Sequence, residues 1–179
     1  MGVFPRRRSN GALDDGFTLI ELLIVVAMVS ILAALSTAGL LRSRNTANEV
    51  SAIASLKASV IAQKAYAASC GVGGYASDYV VLGTPPGGSE GFISSDLGSS
   101  VTPVKSGFQY SMVSGAGSGA GPNDCLGRPT ITAYYASAVP LSVNTGARAF
   151  AVNRSAMVWQ RVGLLAPTEP FGAPATPIQ

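Results

Sequence analysis

One carboxylate, Glu21, stands inside residues 17–41 (FTLIELLIVVAMVSILAALSTAGLL), a run whose other polar members are small hydroxyl residues. An ionised acid in the middle of a membrane-crossing helix costs several kcal/mol on insertion scales, and less near the end of the span. Such an acid needs a partner. If the chain is cut before Phe17, the new α-amino group is a cation one helical turn from Glu21, supplied by the same chain or by a neighbouring one. The competing reading is an interfacial acid facing lipid headgroups.

The other reactive residue types offer little. The chain has no histidine, which removes Ser-His-Asp and Cys-His catalysis and imidazole metal ligation. Its two cysteines, Cys70 and Cys125, are too few and too far apart for a zinc ribbon. They read as a disulfide if the chain is exported, and otherwise as two unrelated thiols. A disulfide would tie the end of a helix to the loop before a strand at Thr130 and contribute roughly 2–4 kcal/mol. Asp78, Glu90, Asp96 and Asp124 read as solvated loop acids, without the dense Asp-x-Asp pattern of a calcium loop. GAGSGAG at residues 115–121 lacks the Lys-Ser/Thr end of a phosphate loop. The expectation is no metal, no cofactor and no enzyme. Net charge is +3, but the only basic cluster is Arg6, Arg7 and Arg8, so nucleic acid is not an expected partner.

These residues require a positioning frame. Residues 1–16 (MGVFPRRRSNGALDDG) read as a polar targeting leader rather than a secretory signal, because the apolar stretch follows it and holds no Ala-x-Ala site in the expected place. Residues 17–41 are long enough to cross a bilayer. The leader arginines hold that end in the cytoplasm, although Asp14, Asp15, Arg42 and Arg44 weaken the bias. Residues 42–70 lack proline and, in the helical pattern to 69, glycine. Val50, Ile53, Leu56, Val60 and Ile61 recur there at spacings of three and four, with Asn48, Glu49, Ser55, Lys57, Ser59 and Gln63 between them. That predicts an amphipathic continuation of one long helix over residues 17–69, with Gly71 as its C-terminal cap.

Residues 71–163 read as a head. A Gly-, Ser- and Pro-rich loop segment comes first, then strands at residues 108–113, 130–136, 148–152 and 157–162. Phe108, Tyr110, Tyr134, Tyr135, Phe150 and Trp159 are expected to pack the sheet on the helix. Residues 164–179 read as an irregular Pro-rich tail. The fold class is α+β: one long N-terminal helix on a small antiparallel sheet of three or four strands.

The run GFTLIELLIVV at residues 16–26 resembles the processing motif of type IV prepilins and type II secretion pseudopilins. The resemblance implies that a prepilin peptidase cuts after Gly16 and N-methylates Phe17, and that Glu21 pairs with the amine of an adjacent subunit. It further implies a pilin-like fold and a homo-oligomeric filament drawn from inner-membrane lipid by an assembly machinery. Such filaments serve adhesion, motility or DNA uptake. A pseudopilin in a periplasmic secretion piston is the alternative, and an anchored binding protein or enzyme a third. Two departures stand out. Ala38 and Gly39 occupy the place of a common mid-helix proline, and Asp14 and Asp15 flank the cut where Lys or Arg is usual.

Overall fold

A computed structural model of the protein describes residues 16–84, 86–88 and 90–178, with backbone alone at residues 35–38 and 86. Residues 1–15 of the expected leader lie outside the described residues. The long helix is present: α1 runs Leu19–Ser69, 51 residues. It starts two residues later than expected because Thr18 caps it. The Thr18 hydroxyl accepts from the Glu21 amide at 3.3 Å, and the Thr18 carbonyl accepts from the Leu22 amide. The chain forms two compact units that meet between Gly39 and Leu40.

In the second unit, α1 buries Glu49, Ala52, Leu56, Ser59, Gln63 and Tyr66 at alternating spacings of three and four. This corrects the expected stripe. Leu56 and Val60 are buried and Ile53 half-buried, but Val50 and Ile61 are 60% and 68% exposed. The sheet explains the difference. It presents the large rings of Phe108, Tyr110, Tyr134 and Phe150, so close packing calls for small or hydrogen-bonding residues on the helix. The polar ones are satisfied. Ser59 bonds the Ser55 carbonyl and the Tyr79 hydroxyl. Gln63 donates to the Ala76 carbonyl and accepts from the Ala76 amide, both at 2.9 Å.

The end of α1 also differs from expectation. Val72, not Gly71, takes the left-handed conformation (φ 49°), and the Gly73 amide reaches back to the Ala67 carbonyl. Gly71 is needed for space: a Cβ there would lie 2.2 Å from the Gly74 oxygen and against the Tyr66 ring.

Two short helices follow, α2 (Tyr79–Gly83) and α3 (Ser95–Gly98), the first capped by the Asp78 carboxylate on the Val81 amide. Gly83 and Gly98 touch; a Cβ on Gly98 would sit 2.6 Å from the Gly83 Cα.

The sheet is antiparallel and larger than the three or four strands expected. Six strands pair in the order β1 (Val104–Lys105), β2 (Phe108–Ser114), β5 (Tyr134–Pro140), β6 (Arg148–Asn153), β7 (Trp159–Val162) and β8 (Thr176–Pro177). β3 (Ala120–Asn123) and β4 (Pro129–Ile131) make a separate hairpin. Two causes account for the excess. The 130–136 run breaks in two because Ile131 exchanges backbone hydrogen bonds with Tyr75, which draws β4 off the main sheet. The two-residue edge strands β1 and β8 are too short to carry an alternating pattern.

Residues 164–178 are mostly irregular, as composition predicts, but they are packed. Phe171 stacks on Trp159 at 5.3 Å, and Tyr135 donates to the Pro167 carbonyl. Glu169 accepts from the Asn153 side chain and the Ala116 amide. Phe108, Tyr110, Tyr134 and Phe150 face α1 as expected. Tyr135 and Trp159 instead share Phe171 on the opposite face of the sheet.

Candidate functional site

Gly16, Phe17 and Thr18 precede the helix without regular structure and are exposed. A Cβ on Gly16 would meet nothing within 4 Å, and its backbone is not left-handed. Neither packing nor conformation requires glycine here.

From Phe17 to Leu32 twelve large apolar side chains are exposed: Phe17 is 70% accessible, Leu19 81% and Ile31 64%. They surround the helix rather than lining one face, and the segment is apolar and long enough to cross a membrane. Covering them is worth on the order of 20 kcal/mol at roughly 1.5–3 kcal/mol per side chain, a load that a soluble monomer does not carry in water. The Ser30 hydroxyl donates to the Val26 carbonyl at 2.7 Å, so this polar group brings no unpaired donor into a dry surrounding.

Glu21 is the acid of this segment and sits in the first turn of α1, the end where the helix dipole favours negative charge. Among the described residues its carboxylate has one hydrogen-bond partner, the Thr18 hydroxyl at 3.3 Å. Thr18 and Glu21 thus have capping-box spacing, a signal present in the sequence as Thr-x-x-Glu ahead of the apolar run. The carboxylate retains acceptor sites for another donor.

The second cluster lies at the far end of α1. Cys70 and Cys125 form a disulfide, and the Cys125 amide donates to the Cys70 carbonyl. Beside it Asp124 is buried, which overturns its reading as a solvated loop acid. It accepts from the Tyr66 hydroxyl (2.8 Å), the amides of Leu126 and Arg128, and the Arg128 guanidinium (2.7 Å). Burial pushes its carboxyl up, but these donors outweigh burial and hold it at about 2. Burial, then the Asp124 carboxylate, pushes the Tyr66 hydroxyl up. Of the other loop acids, Asp78 caps α2, Asp96 pairs with Lys105 at 2.7 Å and Glu90 is exposed.

A third cluster was not legible as a site. Glu49, 6% exposed, accepts from the amides of Ala147 and Arg148 at 2.8 and 3.1 Å and from the Arg148 guanidinium at 2.6 and 3.0 Å. Arg148 also donates to Gln160 and lies over the Phe150 ring. Only the i, i+3/i+4 position of Glu49 relative to Ala52, Leu56 and Ser59 could have flagged it. The second cluster ties the end of α1 to the β3–β4 turn and the third ties α1 to the start of β6; neither brings together a nucleophile, base or metal-ligand set. Among the described residues there is no group of three metal-ligating side chains.

Residues 14–37 match the family model of the prokaryotic N-terminal methylation motif, the signature of type IV pilins and pseudopilins. No curated protein and no solved structure matches the chain.

Proposed function

We propose that this chain is a structural subunit of a type IV pilus-like filament, made as a precursor and cut between Gly16 and Phe17 by a prepilin peptidase that then N-methylates Phe17. The observation that carries the reading is the methylation motif at residues 14–37, whose residues 19–34 lie on a helix segment that is exposed and apolar around its circumference. The motif's families are structural rather than enzymatic, and the clusters described above serve cohesion of the head.

The mechanism is assembly. Residues 17–41 wait in the inner membrane as a single span with the head on the periplasmic side. An assembly machinery then moves them into a bundle where neighbouring helices replace lipid. Cleavage leaves an ammonium at Phe17, at the end of α1 where the helix dipole disfavours positive charge. The Glu21 carboxylate of an adjacent subunit offsets that charge and fixes axial register, because either group left unpaired in a dry core is heavily penalised. A glycine with open space at position 16 fits a peptide that must lie extended in a peptidase cleft.

Mass spectrometry of the assembled protein is expected to give a methylated N-terminus at Phe17, and electron microscopy of sheared cell-surface fibres is expected to find this protein along them. Glu21→Ala should leave processing intact and abolish fibres in a strain lacking the native copy. A leader retained in fibres, or normal fibres from Glu21→Ala, refutes the reading. Processed protein confined to the periplasm, with secretion lost on its deletion, replaces the pilus by a secretion pseudopilus.

A further inference from the structure

The exposed base of the head combines two cations with an apolar loop. Arg42 and Arg44 are exposed and take part in no ion pair among the described residues. Residues 40–48 and 141–147 contain no acid, and the next one along α1, Glu49, is taken by Arg148. The loop at residues 141–147, between β5 and β6, presents Leu141 at 54% and Val143 at 68% exposure, so neither serves the core.

That loop is not free to drift. Asn45 donates to the Val143 carbonyl at 3.5 Å, Asn48 donates to the Thr145 carbonyl at 3.1 Å, and Glu49 holds the Ala147 and Arg148 amides. Val143 is therefore fixed at the level of Asn45, four residues beyond Leu41, where the apolar run ends. At 1.5 Å per residue the step is about 6 Å along the helix. The headgroup zone on each side of a hydrocarbon core is about 5–7 Å deep. Where the stretch of α1 from residue 40 stands upright on a bilayer whose core ends at Leu41, Arg42 and Arg44 lie among phosphates and Val143 at the headgroup level.

We propose that, while the subunit is anchored, the base of its head rests on an anionic phospholipid surface. Arg42 and Arg44 bind headgroup phosphodiesters, and Leu141 and Val143 dip between them. Basic residues beside exposed apolar ones are what an interfacial contact needs. The inference rests on the anchored reading above. It adds a docked state in which the depth of the span is set and which assembly must break.

The test uses the full chain in vesicles of phosphatidylglycerol and phosphatidylcholine that carry lipids brominated high on the acyl chain. In a Trp159→Phe background, which keeps a ring against Phe171, tryptophan is introduced singly by Ile24→Trp, Val143→Trp or Leu126→Trp. Circular dichroism verifies each fold. Leu126 adjoins the disulfide at the other end of the helix and serves as the distal control. Bromine is expected to quench the Ile24→Trp and Val143→Trp proteins and to spare Leu126→Trp. Arg42→Gln and Arg44→Gln should each lower the docked population roughly fivefold, the weight of one cation near an anionic leaflet. Phosphatidylcholine alone should match the double variant.

If Ile24→Trp is quenched while Val143→Trp behaves like Leu126→Trp, the anchor stands and the docking is overturned. Equal quenching of Val143→Trp in neutral and anionic vesicles overturns the dependence on anionic lipid and with it the proposed docking. A Val143→Trp signal that changes only in assembled fibres makes this surface a contact between copies and also overturns the proposal. Absence of quenching in Ile24→Trp removes the anchored reading itself.

Discussion

Replacing Glu49 by alanine removes four hydrogen bonds at once, two from backbone amides and two from the Arg148 guanidinium. Breaking a fully buried ion pair from one side costs about 3–5 kcal/mol. Two features lower that figure here. The Arg148 side chain is 40% exposed and keeps Gln160, and Ala147 is exposed, so water can reach both stranded donors. The expected loss is therefore about 2–3 kcal/mol, near the cost of stranding one charged and one neutral donor. For a chain of this size that corresponds to a fall in Tm of about 5–10 °C. The assay is urea unfolding of the full chain in detergent, followed by Trp159 fluorescence, for Glu49→Ala, Arg148→Ala and the double variant. If the pair is real, the three values yield a coupling energy above about 1 kcal/mol. Coupling near zero, or a Glu49→Ala protein as stable as its parent, would refute the claim that this polar contact holds helix to sheet.

Other perturbations bear on separate elements. Asp124 has a folded pKa depressed to about 2, below its unfolded value of about 4. Its contribution to stability is therefore complete above pH 4 and lost as pH falls toward 2. Asp124→Asn should flatten that part of the acid unfolding curve. Gly98→Ala places a methyl 2.6 Å from the Gly83 Cα and should destabilise by about 1–3 kcal/mol through overpacking; an unchanged urea midpoint would show that α2 and α3 move apart freely. Cys70→Ser opens a crosslink spanning 55 residues and should cost about 2–4 kcal/mol. Differential scanning calorimetry of the oxidised and substituted proteins measures it.

The long helix and its apolar half were legible because they depend on composition and on the absence of helix breakers over dozens of residues, signals that tertiary context rarely reverses. The α+β class was legible too, as were β2, β6 and β7 from their runs of strand-forming residues between breakers, whereas the run at residues 130–136 divided between β4 and β5. The face of α1 that packs was not. Val50 and Ile61 looked like core and are exposed, while Glu49, Ser59 and Gln63 looked solvated and are buried. Hydrophobicity alone identifies a packed face only when the partner is equally generic. Here the partner is a sheet of large rings and a loop whose Ala76 backbone groups need donors and acceptors, and neither can be read from the helix. Asp124 misled for a related reason: its four donors come from Tyr66, a distant residue, and from a turn at residues 126–128 that closes only in the fold. The edge strands β1 and β8 were missed because two residues carry no periodicity.

The polar character of the packed stripe has a physical consequence. An apolar ridge against an apolar sheet can slip by one helical turn and recover much of its burial, since dispersion contacts are not directional. Glu49 and Gln63 cannot. Each meets backbone groups at a fixed position, residues 147–148 for one and 76 for the other, and a slip of 5.4 Å would strand buried donors and acceptors on both sides. With the Cys70–Cys125 bond at the end of the helix, these contacts fix α1 to the head at three points between residues 49 and 70. On the filament-subunit reading proposed above, in which the helix is drawn from a membrane, a pull along α1 is resisted by directional bonds rather than by contacts that slide.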